Sequence, residues 1–155
     1  MAAGRKSDTR KKGTKKEAAP TRRPTPLASV ELARLCATVA VAHKAEEPVI
    51  LHVTEVASFT DYFVILSGRS TRHVQAVAEH IEKALHERHL RLMGVEGLAE
   101  GQWVLLDAGD VVVHIFYHPV RGFYDLEGLW AEAPQVDLAA ARKKRRKPTH
   151  RDAGL

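Results

Sequence analysis

The chain has 155 residues, enough for one ordinary domain with a buried core, and its 45% hydrophobic content agrees with a globular protein. Its charge is unevenly placed: residues 1–27 hold nine Lys/Arg against two acids, and residues 139–155 hold seven against one, leaving eight basic and sixteen acidic residues between Ala28 and Leu138. A core of net charge −8 between arms that total +13 repels a phosphate backbone, which makes the domain itself a poor candidate for a broad nucleic-acid surface and suits a basic protein partner.

Residues 1–27 contain almost no large apolar side chain and end in Pro20, Pro24 and Pro26, so they cannot bury enough surface to offset their ordering entropy. Such a Lys/Arg arm without aromatics fits either a solvated extension or non-specific contact with RNA phosphates. It also lacks the apolar region of a signal peptide, and its acids and lysines disfavour a transit peptide. From Ser29, a plausible N-cap, Leu32, Leu35, Cys36, Val39 and Ala42 recur at helical spacing, and the helix should end before Pro48. Cys36 is the only cysteine, which excludes an internal disulfide, fits a reducing compartment and leaves core packing as its role.

Two strands follow, Val49–Val53 and Tyr62–Leu66, separated by a turn-forming stretch, Thr54–Asp61. Ser67-Gly68-Arg69-Ser70 breaks the second strand, and Ser70 or Thr71 can cap a helix whose apolar stripe is Val74, Val77, Ile81 and Leu85. A third strand is expected around Leu90–Val95. Trp103–Leu106 and Val111–Phe116 then form a hairpin across Ala108-Gly109, where Gly109 supplies a positive φ. Phe123, Leu126, Leu129 and Trp130 make a closing helical stripe, and Pro134 and the basic tail end the domain. Tyr62–Leu66 and Val111–Ile115 are apolar at nearly every position, as in strands covered on both faces. The fold class is therefore α/β, a mixed β-sheet of about five strands flanked by helices. No apolar run approaches the roughly 18 residues of a membrane span, so a soluble, cytoplasmic protein is expected.

Three kinds of chemistry fit these residues. Ser67–Ser70 lies between a strand and a helix N-terminus, where backbone N–H groups could hold a phosphate, and Asp107 with Asp110 could bind a metal for phosphoryl or nucleotidyl transfer. The two carboxylates are three apart across a turn, whereas sheet metal sites favour a spacing of two on one strand, and no lysine follows the glycine. Among the nine histidines, His73 and His80 are seven apart on one helix and His86 and His89 three apart, with no recognisable ligand motif. His114, inside an apolar strand, reads as a buried hydrogen-bonded residue. The third reading is a protein-binding surface: Glu96, Asp107, Asp110, Asp125 and Glu127 surround Trp103, Phe123, Tyr124 and Trp130, and aromatic anchors ringed by acids suit a basic partner. On the competing reading Phe123, Leu126 and Trp130 are core and the acids a solvated rim.

Five ordered blocks carry a family resemblance: Ser58-Phe59-Thr60-Asp61-Tyr62-Phe63; Gly68-Arg69-Ser70-Thr71-Arg72-His73-Val74; Gly94-Val95-Glu96-Gly97; Trp103–Asp107 with Gly109–Phe116; and Arg121, Phe123-Tyr124, Leu126-Glu127, Leu129-Trp130. Together they resemble the ribosomal silencing factors, also called Iojap-related proteins, over about Val49–Trp130. The resemblance implies a small domain similar to the nucleotidyltransferase fold but without catalysis or cofactor. It also implies binding to the large ribosomal subunit through its fourteenth protein, a steric block of association with the small subunit and repression of translation. Homodimers off the ribosome are a further implication. On this reading residues 28–138 form the silencing factor domain between the basic arms 1–27 and 139–155, which depart from the family pattern and could reach ribosomal RNA. The expected contacts with the ribosomal protein are Glu96, Trp103, Asp107, Asp110 and Tyr124, joined by Arg69 and His73. The alternative is a nucleotidyltransferase-like enzyme with a metal on Asp107 and Asp110.

Overall fold

A computed structural model describes residues 27–139; the two basic arms lie outside the described residues except for Leu27 and Ala139. In chain order the elements are α1 (Ser29–Ala42), β1 (Glu46–His52), β2 (Tyr62–Gly68), α2 (Thr71–Glu87), β3 (Gly94–Glu96), β4 (Trp103–Asp107), β5 (Val111–Tyr117), α3 (His118–Tyr124), α4 (Leu126–Leu129) and β6 (Gln135–Val136). The strands form one mixed sheet in the order β3-β4-β5-β2-β1-β6. β2 and β5 are its parallel central pair, and every other neighbouring pair is antiparallel.

The two all-apolar segments occupy the centre, as strands buried on both faces must. On one face α1 and α2 pack against Val64, Leu66, Val104, Leu106, Val111, Val113 and Ile115, and Cys36 is buried in this layer. Burial pushes its thiol up to about 12, so it is an inert core residue. The opposite face carries a smaller cluster, including Leu51, Phe63, Ile65, Val112 and Phe116, closed by Leu126, Trp130 and Ala133. Trp103 and Leu105 on β4 are only partly buried there. The thinner cover makes this the open face of the sheet.

Several expectations need correction. The cap of α1 is Ala28, with no side-chain bond, and Ser29 is the first helical residue, its hydroxyl donating to Asp110 Oδ2 at 3.0 Å. Strand β1 starts earlier than Val49 because Pro48 sits in a register shift where Glu47 has φ 51°. That proline is tolerated since β6 covers only Ile50 and Leu51 on the outer side. The expected strand at Leu90–Val95 shrinks to Gly94–Glu96, the stretch that β4 pairs with. The sheet gains a sixth, two-residue strand after Pro134. The single closing helix is instead two short helices broken at Asp125 in the left-handed region, and Phe123 and Leu129 point to solvent at 79% and 73% exposure. Of the apolar stripe, Leu126 is the one residue that is buried.

Candidate docking site

Alternation along β4 turns Val104 and Leu106 to the helices and Trp103, Leu105 and Asp107 to the open face. On β3, Glu96 lies opposite Leu105 and so shares that face. Gly97 sets the approach to β4: it has φ +80°, and a Cβ there would strike the Trp103 carbonyl. Tyr124, at the end of α3, is half exposed and meets Trp103 with ring centroids 4.8 Å apart, while Phe123 stands edge-on to Tyr124 at 5.1 Å. Exposed Tyr124, Phe123 and Glu96 and partly buried Trp103 and Asp107 thus belong to one aromatic and acidic surface.

Beneath the aromatics sits His114, directly opposite Leu105 and 5% exposed. The Trp103 Nε1–H donates to His114 Nδ1 at 3.1 Å. Burial lowers the His114 pKa to about 4, so the ring is neutral at physiological pH and keeps an acceptor nitrogen for the indole.

The closing segment is held over this face by charge. Arg121, only 7% exposed, donates to Ser67 Oγ at 2.9 Å and makes a fork of bonds to Glu127, Nε to Oε1 at 3.1 Å and Nη2 to Oε2 at 2.8 Å. Asp125 ends α3 in the left-handed conformation and caps α4 by accepting the Gly128 N–H at 3.1 Å. These contacts orient Phe123 and Tyr124. Sequence reasoning missed the role of Arg121, because its buried partner Ser67 lies 54 positions away and is brought to it only by the fold.

The other expected contacts lie elsewhere. Asp110 is exposed in the β4–β5 turn but bonds to Ser29, on the helical side. Arg69 pairs with Glu46 at 2.9 Å. His73 joins the start of α2 to the end of α1, its Nδ1 accepting from the Arg69 N–H at 3.0 Å and its Nε2 lying 2.9 Å from the His43 carbonyl. These bonds also occupy the supposed phosphate loop: Ser70 Oγ accepts the His73 N–H at 3.0 Å and Ser67 takes Arg121. Asp107 Oδ1 accepts the Gly109 N–H at 2.9 Å, a turn-holding role, and Gly109 has the expected positive φ of 88°. The two aspartates are therefore spent on different partners, and among the described residues no group of three or more His, Cys, Asp or Glu is placed to hold a metal ion. Val56, which the sequence did not single out, is exposed and lines a shallow hollow with Leu129 and Trp130, and Phe59 is exposed as well.

Residues 26–154 match the family described as ribosomal silencing factor during starvation. The chain belongs to the ribosomal silencing factor family. The ribosomal silencing factor of Halalkalibacterium halodurans is 38% identical over 112 residues, covering 72% of this chain and 96% of its own. That of Bacillus subtilis is 41% identical over 95 residues, covering 61% and 80%. The crystal structure of a protein from Chromobacterium violaceum superposes with a TM-score of 0.66 at 33% identity, covering 68% of this chain and 88% of that one. The mixed sheet flanked by helices is accordingly a silencing-factor fold. Among the described residues no helix is long and apolar enough to cross a membrane.

Proposed function

We propose that this silencing factor binds the large ribosomal subunit through its fourteenth protein and, by occupying the face that meets the small subunit, blocks subunit joining and represses translation in the cytoplasm. The action is steric and needs no turnover. The observation that carries this reading is the exposed surface of Trp103, Phe123 and Tyr124 with Glu96 and Asp107, set in a domain where sixteen acids outnumber eight basic residues. Aromatics of this kind supply binding energy at the centre of an interface, and the surrounding negative charge steers a basic ribosomal protein and sets its orientation. Family membership supports a ribosomal partner, and the Halalkalibacterium and Bacillus relatives are named for silencing.

Asp110, Arg69 and His73 belong to a second rank of contacts, since each is engaged on the helical side. The basic arms would add contacts to ribosomal RNA, and the free protein would form homodimers. A photo-crosslinking residue at Tyr124 tests the partner. Irradiation on purified large subunits should yield a covalent product with the fourteenth protein. Bound protein that crosslinks reproducibly to another component would place the docking surface elsewhere.

A further inference from the structure

The strand position of His114 faces an apolar layer, where a phenylalanine or leucine would pack without polar atoms to satisfy. The histidine instead leaves an unpaired group. With Nδ1 accepting the Trp103 indole N–H, the proton of the neutral ring sits on Nε2, and that buried N–H has no hydrogen-bond partner among the described residues. Phe63 stands perpendicular to the ring at a 4.9 Å centroid distance and Phe116 lies nearly parallel to it at 6.4 Å, so the imidazole is held firmly. An unsatisfied buried donor is destabilising. Among the described residues the one polar partner of the His114 side chain is Trp103, the partly buried aromatic of the open face.

We propose that His114 is a positioning residue for docking: it fixes the Trp103 indole in the orientation presented to the partner and leaves its own Nε2–H unpaired as a consequence. Trp103 would otherwise be steered only by ring contacts, with Phe116 at 4.9 Å and Tyr124 at 4.8 Å, which allow the indole to turn over. A hydrogen bond to the indole nitrogen selects one of the two flips. Pre-organising a large aromatic before association removes an ordering cost from the binding step. The inference rests on the docking reading above, and its test separates the two.

The test compares full-length His114→Phe, His114→Asn and Trp103→Ala with the wild type. Phenylalanine keeps the ring and loses the acceptor, whereas the Asn Oδ1 occupies nearly the place of Nδ1. Binding to purified large subunits is measured by pelleting, and the Trp103 indole resonance is followed by ¹H–¹⁵N NMR of the free protein. His114→Phe should keep its fold, with a urea midpoint at or above that of the wild type, yet bind about tenfold more weakly and show an exchange-broadened or shifted indole signal. His114→Asn should restore the signal and most of the affinity. Wild-type binding by a folded His114→Phe, while Trp103→Ala binds poorly, would overturn the positioning role and leave the docking surface intact. Unchanged binding by Trp103→Ala would remove Trp103 from the contact, and the inference with it. If His114→Phe does not fold, His114→Asn decides: loss of its indole signal or of its binding contradicts the proposal.

Discussion

Acid should weaken this domain through His114, and the effect can be isolated by one substitution. In the unfolded chain the imidazole titrates near 6.5, whereas burial in the folded domain lowers it to about 4. The unfolded state therefore binds the extra proton first. Stability from this residue is fully present above about pH 6.5, declines as pH falls below that value, and levels off once pH passes below about 4. The interval between the two values corresponds to roughly 3 kcal/mol in total, of which about 2 kcal/mol is lost by pH 5. His43, stacked on His80 with ring centroids 3.5 Å apart, contributes in the same direction because desolvation and the His80 charge both lower its pKa. Urea unfolding of the wild type and of His114→Phe at pH 7, 6, 5 and 4.5 separates the two sources, since both proteins keep His43 and only the wild type has His114. The difference between the proteins should shift by about 2 kcal/mol in favour of the variant from pH 7 to pH 5. Stability curves that stay parallel over this range would show that His114 is not held neutral by burial.

Arg121→Met should destabilise the domain by about 2 kcal/mol in urea unfolding, less than the roughly 3–5 kcal/mol of a fully buried pair because Glu127 is 35% exposed and can rehydrate. The same variant should weaken large-subunit binding, as Phe123 and Tyr124 lose their support; an unchanged urea midpoint would mean that the Arg121 fork is strained rather than stabilising. Asp107→Ala with Asp110→Ala should lower subunit binding while circular dichroism shows a folded domain, and wild-type affinity would move the acidic contact elsewhere. Deleting residues 1–27 and 139–155 should flatten the salt dependence of binding to the large subunit, because sixteen basic side chains are removed. An identical slope in the two proteins would mean that the arms touch no phosphate.

The two central strands and the hairpin could be read from the sequence because local signals agree there: nearly unbroken apolar runs, and a turn whose Gly109 needs positive φ and whose Asp107 accepts the Gly109 N–H; that the two strands pair in parallel came from the structure. The Ser70 cap of α2 was legible for the same reason. What escaped depends on tertiary partners. β6 is a two-residue strand that exists only because β1 is beside it, and Leu90–Leu92 stays outside β3 because β4 pairs with Gly94–Glu96 and reaches back no further than the Met93 N–H, which donates to the Asp107 carbonyl. The break at Asp125 hid behind a helical stripe, so Phe123 stood open between core and surface anchor, and its exposure rules out the core reading. The candidate surface was half visible. Trp103, Asp107 and Glu96 share a face through alternation and register, while the bonds of Asp110 to Ser29 and of His73 to the end of α1 join residues 81 and 30 positions apart. The bond between Trp103 and His114 likewise requires the hairpin register, which pairs Leu105 with His114.

The most direct test of the silencing account is subunit joining. Purified large and small subunits are mixed at a magnesium concentration that favours association, with and without the full-length protein and without added nucleotide, and resolved on a sucrose gradient. The account predicts that joined ribosomes decline as the protein is added, that free subunits accumulate and that the protein sediments with the large subunit. Joined ribosomes that form undiminished while the protein stays at the top of the gradient would contradict it.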